Sequence, residues 1–186
     1  MNRFLKYFIL LASLAIWGTS CIKEKLEVTY NNQETKIDQY INSNKYTDSS
    51  KSDSLRVVYN GGTSRLVMTE GTGEELAKNG TVAFYYAGYI FSGNKSNANL
   101  FMTNHEDTAK SAGWALTDEQ YEITKVNISE AGFIEGLYHG LLGVKAGEHC
   151  QILFTGKYGF GNSEFGIIPA NSALLYEIWV EAVSND

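Results

Sequence analysis

The chain has 186 residues, a formal charge of −6, 44% hydrophobic and 13% aromatic residues, 18 Gly and a single Pro, Pro169. That composition fits one globular core plus an arm and excludes a disordered chain. An acidic chain without a Lys/Arg run also lacks the clustered cations that phosphate binding needs, so no nucleic-acid partner is expected.

Residues 1–20 read as an export signal. Arg3 and Lys6 give a positive start, Phe8 to Trp17 a short apolar run, and Gly18, Thr19 and Ser20 the small residues of a cleavage region. The apolar run is too short for a comfortable transmembrane span. Removing this segment takes away two cations and no acid, leaving a net charge of −8. Cys21 follows directly and resembles the cysteine of a bacterial lipoprotein processing site, where acyl chains on the thiol would anchor the chain to the membrane. Gly18 stands where that motif usually carries Leu. The alternative is ordinary cleavage near Ser20 with Cys21 incidental. The expected location is the cell envelope, at the outer membrane. The other cysteine, Cys150, lies in an apolar run and reads as a small core hydrophobe, so no disulfide is expected.

Residues 21–54 read as a polar tether. Ile37, Tyr40 and Ile41 recur at helical spacing within it, which predicts a short helix over 33–43, and 42–54 reads as loop. The arm is expected to act as a spacer, with a docking or dimerisation helix as the sharper alternative.

The domain is expected over 55–186. Residues 55–59 and 65–68 read as strands joined by the turn Asn60-Gly61-Gly62. A long strand over 81–91 leads to a polar insertion with His105, Glu106 and Asp107; with the distant His139 and His149 these lack metal-ligand spacing. Residues 121–128 alternate as a strand, 133–142 carry the apolar spacing of a short helix lying on a sheet, 150–155 form a strand, 158–169 a Gly-rich loop, and 174–182 an apolar last strand. The fold class is α+β, an antiparallel sheet with one short helix packed across it.

Four landmarks stand in order: Tyr85-Tyr86-Ala87-Gly88, Phe133-Ile134-Glu135-Gly136-Leu137, Tyr158-Gly159-Phe160-Gly161 and Ile167-Ile168-Pro169-Ala170-Asn171-Ser172-Ala173-Leu174. Together they resemble the FK506-binding-protein (FKBP) type peptidyl-prolyl isomerases, whose pattern runs Y-x-G, V-I-x-G-W, Y-x-Y-G and I-P-x-x-A-x-L. The resemblance implies a curved sheet with an apolar pocket beneath the helix, lined by Tyr86, Phe101, Phe133, Ile134, Leu137, Phe160, Ile168 and Tyr176. Tyr121 is a further candidate. Met102 stands where the family has an Asp, Leu137 replaces its Trp, and Phe160 replaces a Tyr.

The implied chemistry needs no cofactor, metal or nucleophile. Rotation about a peptide bond is opposed by amide resonance, with a barrier of about 18–20 kcal/mol. Twisting removes that resonance, so the transition state is less dipolar than the planar amide and an apolar pocket favours it. The resemblance implies that the Ile168 N–H receives the carbonyl before the proline, and that an insertion at 94–99 lies at the pocket rim. The implied function is a prolyl isomerase that helps exported chains fold, with proline-containing polypeptides as clients. The alternative, which rests on Met102, Leu137, Phe160 and the insertion around 94–113, is a non-catalytic FKBP-like chaperone or interaction module anchored to the membrane.

Overall fold

The computed structural model describes residues 3–46, 54–129 and 131–185, with side chains from Lys23 onward. The side chains of residues 3–22, Cys21 among them, lie outside the described residues, as do residues 1–2 and 47–53, so the expected export signal and the loop after the helical arm fall there in part.

β1 (Val57–Asn60) and β2 (Thr63–Thr69) form the expected hairpin, with Asn60 opposite Thr63. The two turn residues, Gly61 and Gly62, have φ of 54° and 77°. A two-residue loop with both φ positive matches strand twist, and only Gly adopts it freely. A Cβ at Gly61 would strike the His139 ring and one at Gly62 the Tyr158 ring, so the hairpin tip lies against the elements that carry the pocket.

The remaining strands are β3 (Thr81–Ile90), β4 (Leu100–Thr103), β5 (Thr124–Asn127), β6 (His149–Phe154) and β7 (Leu174–Ser184). They complete a seven-stranded sheet in the order β1-β2-β6-β7-β3-β4, and every strand pair is antiparallel. β3 pairs with β7 on one edge; on the other, β5 takes residues 81–84 and β4 takes 87–89. The gap between them falls at Tyr85 and Tyr86. There the Asn104 side chain completes the ladder, accepting from the Tyr86 N–H at 2.7 Å, while the Asn104 N–H donates to the Tyr86 carbonyl at 3.2 Å. The chain leaves the sheet at this point, forms α2 (Glu106–Ser111), and returns as β5.

Alternation along the strands gives the sheet two faces. Val82, Phe84, Ile152, Phe154, Tyr176 and Ile178 face α3 (Glu135–Leu141) and form the main core. Ala87, Tyr89, Leu153 and Leu175 face the other way, onto α1 (Arg3–Asn44).

α1 starts well before the helix expected over 33–43 and includes 42–44, which the sequence reads as loop. Its last turns are docked on the domain. Ile37, Tyr40 and Ile41 are buried, the Tyr40 ring meets Phe91 edge-on at 5.4 Å, and the Tyr40 hydroxyl donates to Gln151 Oε1 at 2.9 Å. The reason is the second sheet face, whose aromatic and aliphatic side chains need a cover that a three-residue helical stripe supplies.

Candidate functional site

α3 lies against the sheet because two of its residues have no side chain. A Cβ at Gly136 would collide with the Phe154 ring, and one at Gly140 with Ile152. The hairpin then clasps the helix through its carbonyls. Thr63 Oγ1 donates to Gly136 O at 3.0 Å and Asn60 Nδ2 to His139 O at 3.0 Å. Arg65, buried on β2, donates from one nitrogen to Gly140 O and Leu142 O at 2.8 Å each, and from another to Gly143 O at 3.2 Å. Carbonyls at a helix C-terminus have no partner within the helix, so this buried guanidinium satisfies groups that would otherwise be orphaned. Its charge is balanced by buried Glu148, whose carboxylate lies 3.2 Å from Arg65 Nε.

Fixed in this way, α3 presents its N-terminal end to an apolar pocket of about 300 Å³. Tyr86, Phe133, Ile134, Leu137, Phe160 and Tyr176 line it, although they come from four separate stretches of chain. Burial raises the Tyr176 hydroxyl well above the usual phenol range, and the Tyr86 hydroxyl is raised for the same reason, so both are neutral donors at ordinary pH. The Tyr176 hydroxyl points to Met102 Sδ at 3.9 Å. Met102 is 37% exposed at the lining and leaves the mouth open. Phe160 stacks on Phe165 at 4.7 Å between ring centres, and Phe165, 61% exposed, extends the apolar surface outwards.

Two of the expected pocket residues stand elsewhere. Phe101 lies behind the pocket, edge-on to Tyr176 at 5.7 Å, and lines the adjoining groove. Ile168 is buried in the core, and its N–H is engaged: it donates to Phe165 O at 2.9 Å while the Phe165 N–H donates to Ile168 O at 3.0 Å. That pair closes a tight turn through Gly166, whose φ is 57°. The open donor is instead the N–H of Ile134. Ile134 caps α3 with φ −58° and ψ 147°, lines the pocket, and its N–H has no acceptor among the described residues. A residue entering a helix has no carbonyl four positions back to accept its N–H.

The sequence profile of the family described as "FKBP-type peptidyl-prolyl cis-trans isomerase" matches residues 73–181. The chain belongs to that family. "FK506-binding protein 1" of Aspergillus oryzae is 31% identical over 117 residues, covering 63% of this chain and 94% of that protein. The crystal structure of FkpA from Escherichia coli shares the fold at a TM-score of 0.55 and 20% identity, covering 99% of this chain and 74% of that one. A peptidyl-prolyl cis-trans isomerase from Pseudomonas syringae pv. tomato shares it at 0.55 and 18% identity, covering 86% and 96%.

Within this FKBP domain the sequence reading missed Phe84, Thr124 and Phe165 as lining residues. Phe84 was accessible to period-two reasoning, because it lies two residues before Tyr86 on β3 and so shares its face. Phe165 sits in a Gly-rich loop with no periodicity to mark it. Tyr121 is not in the pocket; it lines a polar cleft with Tyr85, His105 and Trp179, where the His105 ring stacks on the indole at 3.8 Å. The segment 94–99 is not at the rim either. Lys95 reaches Glu177 at 2.8 Å on the sheet face that carries α1. Burial alone would raise the Glu177 carboxyl; hydrogen bonds from His149 and Lys95 overcome this and hold it at about 2. The residues inserted beside the pocket are those after Met102, which emerge from the gap at Tyr86.

Proposed function

We propose that this domain catalyses cis-trans isomerisation of X-Pro bonds in exported polypeptides, and that acyl chains on Cys21 hold it at the bacterial outer membrane. The observation that carries the catalytic reading is the open apolar pocket with the Ile134 N–H at its lining, unpaired among the described residues. A proline ring would sit against Phe133, Leu137, Tyr86 and Tyr176. Leu137 in place of an indole still offers an apolar floor, and Met102 supplies a soft acceptor to Tyr176 rather than a charge. With few dipoles to solvate it, the planar amide loses its advantage over the twisted one, and the barrier falls.

The Ile134 N–H would hold the carbonyl preceding the proline. Twisting the amide makes that oxygen less negative, so this bond serves positioning more than transition-state stabilisation. Ile134→Pro tests it, since the native φ of −58° suits proline and only the donor is removed from the backbone. The expected result is a KM raised about tenfold, the loss of roughly one hydrogen bond, with kcat changed much less. The measurement is a protease-free assay on short X-Pro peptides. Turnover by the unaltered protein equal to buffer alone would overturn the catalytic reading.

A second reading, holding of apolar client segments without turnover, draws on the surface around the mouth. Phe165 and Met102 at the pocket are joined by Ile167, 70% exposed on the same loop. Suppression of client aggregation that survives loss of prolyl turnover would favour it.

The anchoring proposal rests on the order of cationic start, apolar run, small residues and Cys21. Among the described residues no helix is long and apolar enough to cross a membrane. Cys21→Ser is expected to abolish acyl labelling and release the protein from membranes; labelling that persists in the variant would place the anchor elsewhere.

A further inference from the structure

The prolyl pocket does not end at Met102. A groove of about 460 Å³ adjoins it, and the two share Tyr86, Met102 and Thr124 as common walls. The groove is built by the stretch that leaves the sheet at Asn104. Asn104 Nδ2 donates to the Glu122 carbonyl at 2.9 Å, which ties the far end of that stretch back beside the pocket. Phe101, Trp114 and Leu116 give the groove an apolar surface, and Glu119 and Glu122 stand along it. Among the described residues neither carboxylate is in an ion pair, and both are exposed.

We propose that this groove is a second substrate subsite, taking the side chain of a Lys or Arg that neighbours the proline in the bound polypeptide. The inference rests on the prolyl-pocket reading and extends it. A chain whose proline occupies the pocket must pass a neighbouring residue over the shared wall of Tyr86 and Met102. A long cationic side chain matches what lies beyond: its methylene stem covers the Trp114 and Leu116 surface, and its head reaches the free carboxylates. An acidic neighbour would meet Glu119, Glu122 and the net negative charge of the domain. An aliphatic neighbour would cover the apolar part and leave the carboxylates unanswered.

The decisive comparison is between X-Pro peptides that differ only at a residue flanking the proline, carrying Lys, norleucine or Glu. Norleucine keeps the stem of lysine and removes its charge. The expected kcat/KM is about fivefold higher for Lys than for norleucine at low salt, lowest for Glu, with the Lys advantage fading at about 0.5 M salt because exposed pairs are screened. The double variant Glu119→Gln/Glu122→Gln should bring the Lys-to-norleucine ratio to about one. A ratio of one in the unaltered protein at both flanking positions overturns the subsite, as does a ratio that the double variant leaves in place. Calorimetric affinities for the same peptides separate this from the catalytic reading. If no peptide is turned over yet Lys peptides still bind more tightly, the subsite stands and the isomerase fails. If norleucine peptides are turned over and Lys brings no gain in binding or rate, the isomerase stands and the subsite fails.

Discussion

Arg65→Met is expected to remove about 3–5 kcal/mol of folding stability at pH 7, a large part of the margin of a domain this size. Arg65 is 3% exposed and Glu148 fully buried, so the variant leaves a carboxylate in the interior with only the half-exposed Arg56, 3.5 Å away, to answer it. It also withdraws the donors to Gly140, Leu142 and Gly143, freeing the end of the helix that carries the pocket. Burial already holds the Glu148 carboxyl above its ordinary value, against the pull of Arg65 and Arg56. Without Arg65 it rises further. The unfolded chain releases this proton at a lower pH than the folded one, so this contribution favours folding at acid pH and is lost as pH climbs between the two values. The variant should therefore recover part of its deficit on acidification to about pH 5. Arg65→Met/Glu148→Met, which removes both charges, should lose less than the sum of the single changes. Urea unfolding at the two pH values reads all three. A loss below about 1 kcal/mol for Arg65→Met would mean that the pair and the carbonyl clasp carry little of the fold.

The features legible in the sequence were those with a local signature. Asn60-Gly61-Gly62 announced a hairpin because both central positions need positive φ. The four landmarks carried the likeness to the family, and the glycine in the second of them, Gly136, is required where the helix lies this close to Phe154. Five pocket residues stand in the same motifs, and the sixth, Tyr176, followed from the resemblance they carry. What the sequence did not disclose was set by long-range packing. The engagement of the Ile168 N–H depends on a turn with Phe165 that no motif specifies, and the freedom of the Ile134 N–H depends on where the helix begins. The side on which the insertion falls was decided by register, because β4 and β5 share one edge of β3 and the chain must leave between them. The docking of α1 was half visible. Ile37, Tyr40 and Ile41 showed the stripe, but the face that receives it is assembled from β3, β6 and β7, nearly fifty or more residues further on.

That docking leads to the second large effect. Ile41→Asp should cost about 3–5 kcal/mol and loosen the pocket loop, although Ile41 does not line the pocket. Ile41 is 2% exposed among Tyr89, Phe91 and Leu175, where a carboxylate finds no partner, so the helix must lift from the sheet or the acid must stay protonated. Lifting the helix also withdraws Gln33, which sits two turns earlier on α1. The Gln33 side chain behaves as an inserted peptide group at the base of the loop: its Oε1 accepts from the Gly156 N–H at 2.9 Å and its Nε2 donates to Asn171 O at 2.7 Å. Tyr30 adds a hydrogen bond to Asn171 Oδ1 at 2.6 Å, and Asn171 itself is held at φ 59°. These contacts join the two ends of the stretch that carries Phe160, Phe165 and Ile168. Gln33→Ala removes only this bracket, and should lower stability by about 1–2 kcal/mol while speeding amide exchange at Gly156 and raising KM for X-Pro peptides. Ile41→Asp should reproduce that exchange and that KM change and add the larger stability loss. If Gly156 exchanges in Ile41→Asp as in the unaltered protein, α1 does not brace the loop; if Gln33→Ala matches Ile41→Asp in stability, the bracket rather than the buried stripe holds the helix in place.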